Sequence, residues 1–158
     1  MAEERVATLL RVLDRAWDAE HWHPPIAAAV ADMSASQAAW RPAPEALTAW
    51  QFVNHVAFWK ETGSRRLAGL AATPAEADND ATFGAPGDPA DDAGWQAAVA
   101  RLGEAHRSLR ARVAAMADTD LEDQGREGLL YGLASHDAYH GAEIVQLRKL
   151  SGAWPVRR

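Results

Sequence analysis

Apolar residues in this chain recur at steps of three and four, the spacing that lines one face of an α-helix. Val6, Leu10, Leu13 and Trp17 form the first such stripe, with Arg5, Arg11, Asp14 and Arg15 left for solvent. His21-Trp22-His23-Pro24-Pro25 interrupts it, because proline lacks a backbone donor and disfavours helix just before itself. A helix can restart at the prolines and run through Ile26 and Val30 to about Met33. Ser34-Ala35-Ser36-Gln37 and Thr48-Ala49-Trp50-Gln51 both have the form of a capping box. The first opens a short turn of helix that stops before Arg41-Pro42. The second opens a long helix to about Leu70, with Phe52, His55, Val56, Trp59 and Leu67 facing inward.

Residues 72–92 are rich in Ala, Pro, Gly and Asp and read as a loop. Structureless loops seldom exceed ~12–15 residues, so this one is expected to cover a site or a partner. A third long helix runs from Asp92 to about Ala117 on the stripe Trp95, Val99, Leu102, His106, Leu109, Val113 and Met116. A fourth runs from about Leu129 to Leu150 and is ended by Gly152 and Pro155. Trp17, Trp22, Trp50, Trp59 and Trp95 are assigned to the core.

No strand-like alternation competes with this pattern. The fold class read from it is all-α, a four-helix bundle in a single domain spanning residues 1–158, with up-down-up-down the simplest topology. With 48% apolar and 24% charged residues the chain is globular rather than disordered. Sixteen Lys+Arg against 22 Asp+Glu leave a net charge of −6, and Arg157-Arg158 is too short a basic tail to offset it. Nucleic acid is therefore excluded as the main partner. There is no cysteine, which removes disulfides, thiolate zinc sites, iron–sulfur clusters and a cysteine nucleophile. Met1-Ala2-Glu3-Glu4-Arg5 is acidic where a signal peptide is basic, and no stretch reaches the ~20 apolar residues of a membrane span. The expectation is a cytoplasmic protein with no membrane partner.

Metal chemistry then falls to the six histidines. His136 and His140 are one helical turn apart and share a stripe with Leu129, Leu133, Glu143 and Leu147. His55 lies on the inward stripe of the second long helix. Buried imidazoles need partners, and a divalent metal is one. A His pair with a third His from a facing helix would leave coordination positions open, as catalytic sites do. The plainer reading of His55 is a hydrogen-bonded core histidine. His106 fits a fourth ligand, a pocket wall or simple packing; His21 and His23 fit the surface or a pocket rim.

Trp40-Arg41-Pro42, the segment from Thr48 through Glu61 and His136-Asp137-Ala138-Tyr139-His140 through Arg148 together resemble the DinB/YfiT-like superfamily, as does Trp22-His23-Pro24-Pro25. The resemblance implies a four-helix bundle with a divalent metal, zinc or nickel foremost, on His55, His136 and His140. It further implies a cytoplasmic protein, often a homodimer, among relatives that include thiol-dependent S-transferases. Where the family has x-Gly-Gln-Ile after its second histidine, this chain has Gly141-Ala142-Glu143-Ile144. Glu143 could orient a ligand, act as a base, become a fourth ligand or face water.

The function expected is a metal-dependent transferase joining a low-molecular-weight thiol cosubstrate to a small electrophilic substrate. Asp137 and Glu143 are the candidate catalytic or ligand-orienting carboxylates, and His23, Trp59 and His106 the candidate pocket residues. Two alternatives remain: a hydrolase acting through water, with Glu143 as base, and a non-catalytic module stabilised by metal.

Overall fold

The computed structural model describes residues 4–122 and 125–155. Met1, Ala2 and Glu3 of the N-terminal segment and the Arg157-Arg158 pair lie outside the described residues. Among those described, the chain is all-helical, with no strand. The α-helices are α1 (Glu4–Trp17), α2 (Ile26–Val30), α3 (Ala35–Ala38), α4 (Ala49–Leu67), α5 (Asp92–Ala114) and α6 (Arg126–Leu150). Three 3₁₀ turns lie at Pro74–Ala77, Asp80–Phe83 and Asp118–Leu121. None of the described helices is long and apolar enough to cross a membrane.

Both capping boxes form. The hydroxyls of Ser34 and Thr48 accept from the amides of Gln37 and Gln51, whose side chains in turn accept from the capping residues' own amides. Helix α4 stops at Leu67 rather than Leu70. Gly69 adopts φ 73°, and the Leu70 amide returns to the Arg65 carbonyl at 3.1 Å. Helix α5 likewise ends at Ala114, before the expected Ala117, while α6 begins at Arg126, before the expected Leu129.

Helix α4 packs on α5 and α6, and so does α1. Cross-helix contacts give the directions. Along α4 and α5, Trp50 meets Trp95, Lys60 meets His106 and Ser64 meets Arg112, so the two run parallel. Along α4 and α6, His55 meets His140, Lys60 meets Asp137 and Gly63 lies against Leu133, so these are antiparallel. Asp14 meets Arg110 and Trp17 meets His106, which sets α1 antiparallel to α5. The order is thus up-down-down-up, and it corrects the simpler alternation expected from the pattern.

This topology explains the long connection over residues 68–91. Parallel neighbours oblige the chain to return the length of a helix, ~30 Å at 1.5 Å per residue, which takes on the order of ten extended residues. Close approach of α4 to α6 depends on Gly63, where a Cβ would run into the Leu133 side chain.

The core falls into two clusters. One gathers α2, α3 and the first halves of α4 and α5 around Trp95, whose indole N–H donates to the Met33 carbonyl at 2.7 Å. The other gathers α1, the second halves of α4 and α5 and the first half of α6 around Leu13, Leu109, Val113 and Leu130. Trp50 and Trp95 are buried as expected, but Trp22 is 91% exposed. The break at Pro24-Pro25 carries that connection outward, which overturns its assignment to the core.

Candidate metal centre

His55, His136 and His140 come together between α4 and α6, their candidate ligand atoms all within 4.8 Å of one another. His136 Nε2 lies 3.0 Å from His55 Nε2 and 3.1 Å from His140 Nε2. His55 and His140 are buried, and His136 is partly so.

The outer nitrogens fix two of the tautomers. Thr82 Oγ1 donates its single proton to the Asn79 carbonyl at 2.6 Å. His55 Nδ1, 2.5 Å from the same oxygen, must therefore carry a proton and donate. His140 Nδ1 lies 2.6 Å from Glu143 Oε2 and donates to that carboxylate. Both rings are left with an Nε2 lone pair, and both point it at His136.

In the protein alone this arrangement does not close. One N–H at His136 Nε2 can serve one neighbour, and the other lone pair stays unmet in a buried place. A cation at the centre satisfies all three nitrogens together. Two ligands at ~2.0–2.1 Å from a tetrahedral zinc lie roughly 3.3 Å apart, close to the 3.0 and 3.1 Å that separate His136 Nε2 from the other two. The donor set fits a divalent ion.

Electrostatics agree. Burial, then the neighbouring His140, pulls His55 down to about 4. Burial, then His140, His55 and Lys60, pulls His136 to about 3, and burial pulls His140 to about 4. All three rings are neutral near pH 7, the form that binds metal. Burial also pushes the Glu143 carboxyl up.

Aromatic rings wall the trio. Phe83 stacks flat on His55, with centroids 3.8 Å apart and 3° between planes. Phe52 stacks on His140 at 5.3 Å, and Trp59 stands edge-on to His55 at 6.3 Å. Tyr139 is 64% exposed beside His140, edge-on at 5.0 Å.

The other candidate residues lie elsewhere. Asp137 does not bond a ligand histidine. It turns the opposite way and accepts from Lys60 Nζ at 2.5 Å, both side chains fully buried. Lys60 Nζ also donates to His106 Nδ1 at 3.3 Å, and Trp17 stacks on His106 at 4.3 Å. Burial, then Lys60, pulls His106 down to about 3. Burial pushes Asp137 up against the opposing pull of Lys60. His106 thus belongs to this second cluster and not to the trio. His23 is exposed and donates from Nδ1 to the Pro24 carbonyl at 3.0 Å.

Sequence reasoning missed Lys60, Thr82 and Phe83. Lys60 could have been found, since it continues the inward spacing of Phe52 and Val56. Thr82 and Phe83 sit in a loop with no periodicity to mark them.

The family model of the DinB superfamily matches residues 25–144, a span holding all three histidines. No curated protein and no solved structure matches significantly. The family match covers well over half of the chain, which belongs to the DinB superfamily.

Proposed function

We propose that this protein is a divalent-metal enzyme that joins a low-molecular-weight thiol to a small electrophile. The observation that carries the metal site is the convergence of three neutral Nε2 atoms on one point, two of them locked by bonds at Nδ1. The pairing of α1, α4, α5 and α6 supports reading the fold as a four-helix bundle of the DinB/YfiT-like type. Three protein donors rather than four is the count of catalytic sites that keep a position for substrate. Imidazole donors suit zinc and nickel alike.

When bound, a divalent cation supplies Lewis acidity, the chemistry that activates a thiol or a water near neutral pH. The chain's own part is to hold the ligands. His55, His136 and His140 keep their lone pairs free because burial keeps them neutral. Glu143 fixes the orientation of His140, and Thr82 that of His55. Phe52 and Phe83 cover two of the rings and exclude water from their faces. With no cysteine in the chain, a reacting sulfur must arrive on a cosubstrate.

Hydrolysis is the less favoured reading, because the carboxylate proposed as its base is already engaged. Glu143 Oε2 accepts from His140 Nδ1 at 2.6 Å, the place of an orienting group.

Elemental analysis after dialysis against zinc or nickel tests the site, with about one equivalent expected per chain. Full metal content in His55→Ala, His136→Ala and His140→Ala would sink it. Mass spectrometry of reactions with a thiol panel and alkylating electrophiles tests the chemistry: a thioether product is expected, whereas solvent oxygen in the product would transfer the assignment to hydrolysis.

A further inference from the structure

Four side chains, from the N-cap and the first two turns of α4, hold the crossover against the helix. Thr48 Oγ1 donates to the Pro86 carbonyl at 2.8 Å, and Gln51 Nε2 donates to the Gly84 carbonyl at 3.0 Å. Asn54 Nδ2 reaches the Phe83 carbonyl at 3.5 Å, and His55 Nδ1 donates to Thr82 Oγ1. Residues 82–86 therefore lie along α4 as a strap, running opposite to the helix.

The last of these bonds differs from the others because its donor is a candidate metal ligand. Thr82 stands in a 3₁₀ turn whose own geometry occupies the hydroxyl proton: Oγ1 donates to Asn79, and the Thr82 amide returns to the same carbonyl at 3.2 Å. Only acceptor capacity is left for His55. The next residue, Phe83, lies flat on the His55 ring. One end of the strap thus sets both the proton and the plane of that imidazole.

We propose that Thr82 is a positioning residue for the metal centre, and that docking of the 82–86 strap and metal binding are a single coupled equilibrium. This rests on the metal reading above. With the strap in place, His55 is held in the tautomer that directs its Nε2 lone pair at the other two rings. Released from it, the ring can rotate or carry its proton on Nε2, and both outcomes remove a donor. Coupling of this kind is reciprocal, so an ion that prefers the docked state must also hold the strap down. Partners that orient ligand histidines are worth about 10–100-fold in metal affinity.

The test uses the full chain with zinc alone as probe. Zinc affinity of the wild type, Thr82→Val and Thr82→Ser is measured by competition with a chromophoric chelator. Amide hydrogen exchange at Thr82 and Gly84 is followed with and without zinc. Thr82→Val keeps the shape without the hydroxyl and should bind zinc about 10–100-fold more weakly. Thr82→Ser restores the acceptor and should return to within about threefold of wild type. Zinc should slow exchange at both amides in the wild type, and less so in Thr82→Val. Thr82→Val binding as tightly as wild type would overturn the inference and leave the metal site standing. Equal weakening by Val and Ser would overturn it too, reducing Thr82 to a packing role. A wild type that binds no zinc would overturn both this inference and the metal site.

Discussion

Two polar clusters lie in the α4–α6 interface, separated by five residues on α4 and by one on α6, and they are built on opposite logic. Around Lys60, a donor meets acceptors: the ammonium serves both Asp137 and His106, while His106 Nε2 and Asp137 Oδ1 on the outer side have no partner. Around His55, the Nε2 atoms of His55 and His140 are acceptors aimed at His136 Nε2, with their protons turned outward to Thr82 and Glu143, while His136 Nδ1 has no partner. Burial of polar groups demands satisfaction in both places. In the first cluster the atoms that face one another find it within the protein. In the second they do not, and a cation at the centre would supply it. What marks a ligand site here is thus not the presence of buried histidines, since His106 is as buried as His55, but which way their lone pairs point.

The sharpest way to break this comparison is to delete one inner acceptor. His55→Ala, His136→Ala or His140→Ala should each abolish stoichiometric zinc binding. In each, the rise in melting temperature on adding zinc should vanish. A zinc-induced rise undiminished in any of the three would mean that the ion sits elsewhere.

Deleting the central donor of the Lys60 cluster should act on folding instead. Lys60→Met strands Asp137, which has no other hydrogen-bond partner. Breaking a buried pair from one side costs about 3–5 kcal/mol, to be read from urea unfolding of the metal-free protein. A loss below about 1 kcal/mol would show that the pair carries little of the packing between α4 and α6.

The contrast was only half legible in the sequence. The i,i+4 spacing of His136 and His140 and the inward stripe through His55 mark three rings on facing surfaces, because helical geometry follows from spacing. Lone-pair direction does not follow from it. That depends on Thr82 and on the crossover that carries it, and the crossover is long because α4 and α5 are parallel. Hydrophobic pattern tells which face of a helix is buried, never which way its neighbour runs, so the chain order was open to both topologies. Asp137 shows the same limit: adjacent to His136, it lies about 100° around the helix and meets Lys60 rather than the trio. Trp22 shows another, since its composition argues for burial while its place beside two prolines puts it outside.

Acid should separate the clusters by a smaller margin. His106 has its pKa depressed in the folded protein, to about 3. Its contribution is therefore intact above the unfolded value near 6.5 and is lost as pH falls toward about 3. Between pH 6.5 and 5 this amounts to up to about 2 kcal/mol. His106→Phe keeps a ring against Trp17 and removes the titration, so its stability should fall less steeply over that window. Saturating zinc should flatten the share of the decline that comes from His55, His136 and His140, and leave the His106 share unchanged. Urea unfolding of both proteins at several pH values, with and without zinc, resolves the two shares. Equal slopes for wild type and His106→Phe would refute the assignment to His106.

The smallest effect belongs to Glu143→Gln, which asks whether the outward proton of His140 needs a charge or merely an acceptor. The amide oxygen of glutamine can still accept from Nδ1, so the tautomer and the inward lone pair survive. What disappears is the negative charge, which makes the imidazole a stronger donor and offsets part of the charge of a divalent ion. Zinc affinity should fall by about tenfold or less, about 1.4 kcal/mol at most. Glu143→Leu, which leaves Nδ1 without any acceptor, should lose about 10–100-fold. If Gln and Leu weaken zinc equally, the charge rather than the hydrogen bond sets the affinity, and lone-pair direction would no longer be enough to distinguish this cluster from the one around Lys60. If both bind as the wild type does, the Glu143–His140 contact is incidental to the metal, and Thr82 alone holds the outer side of the centre.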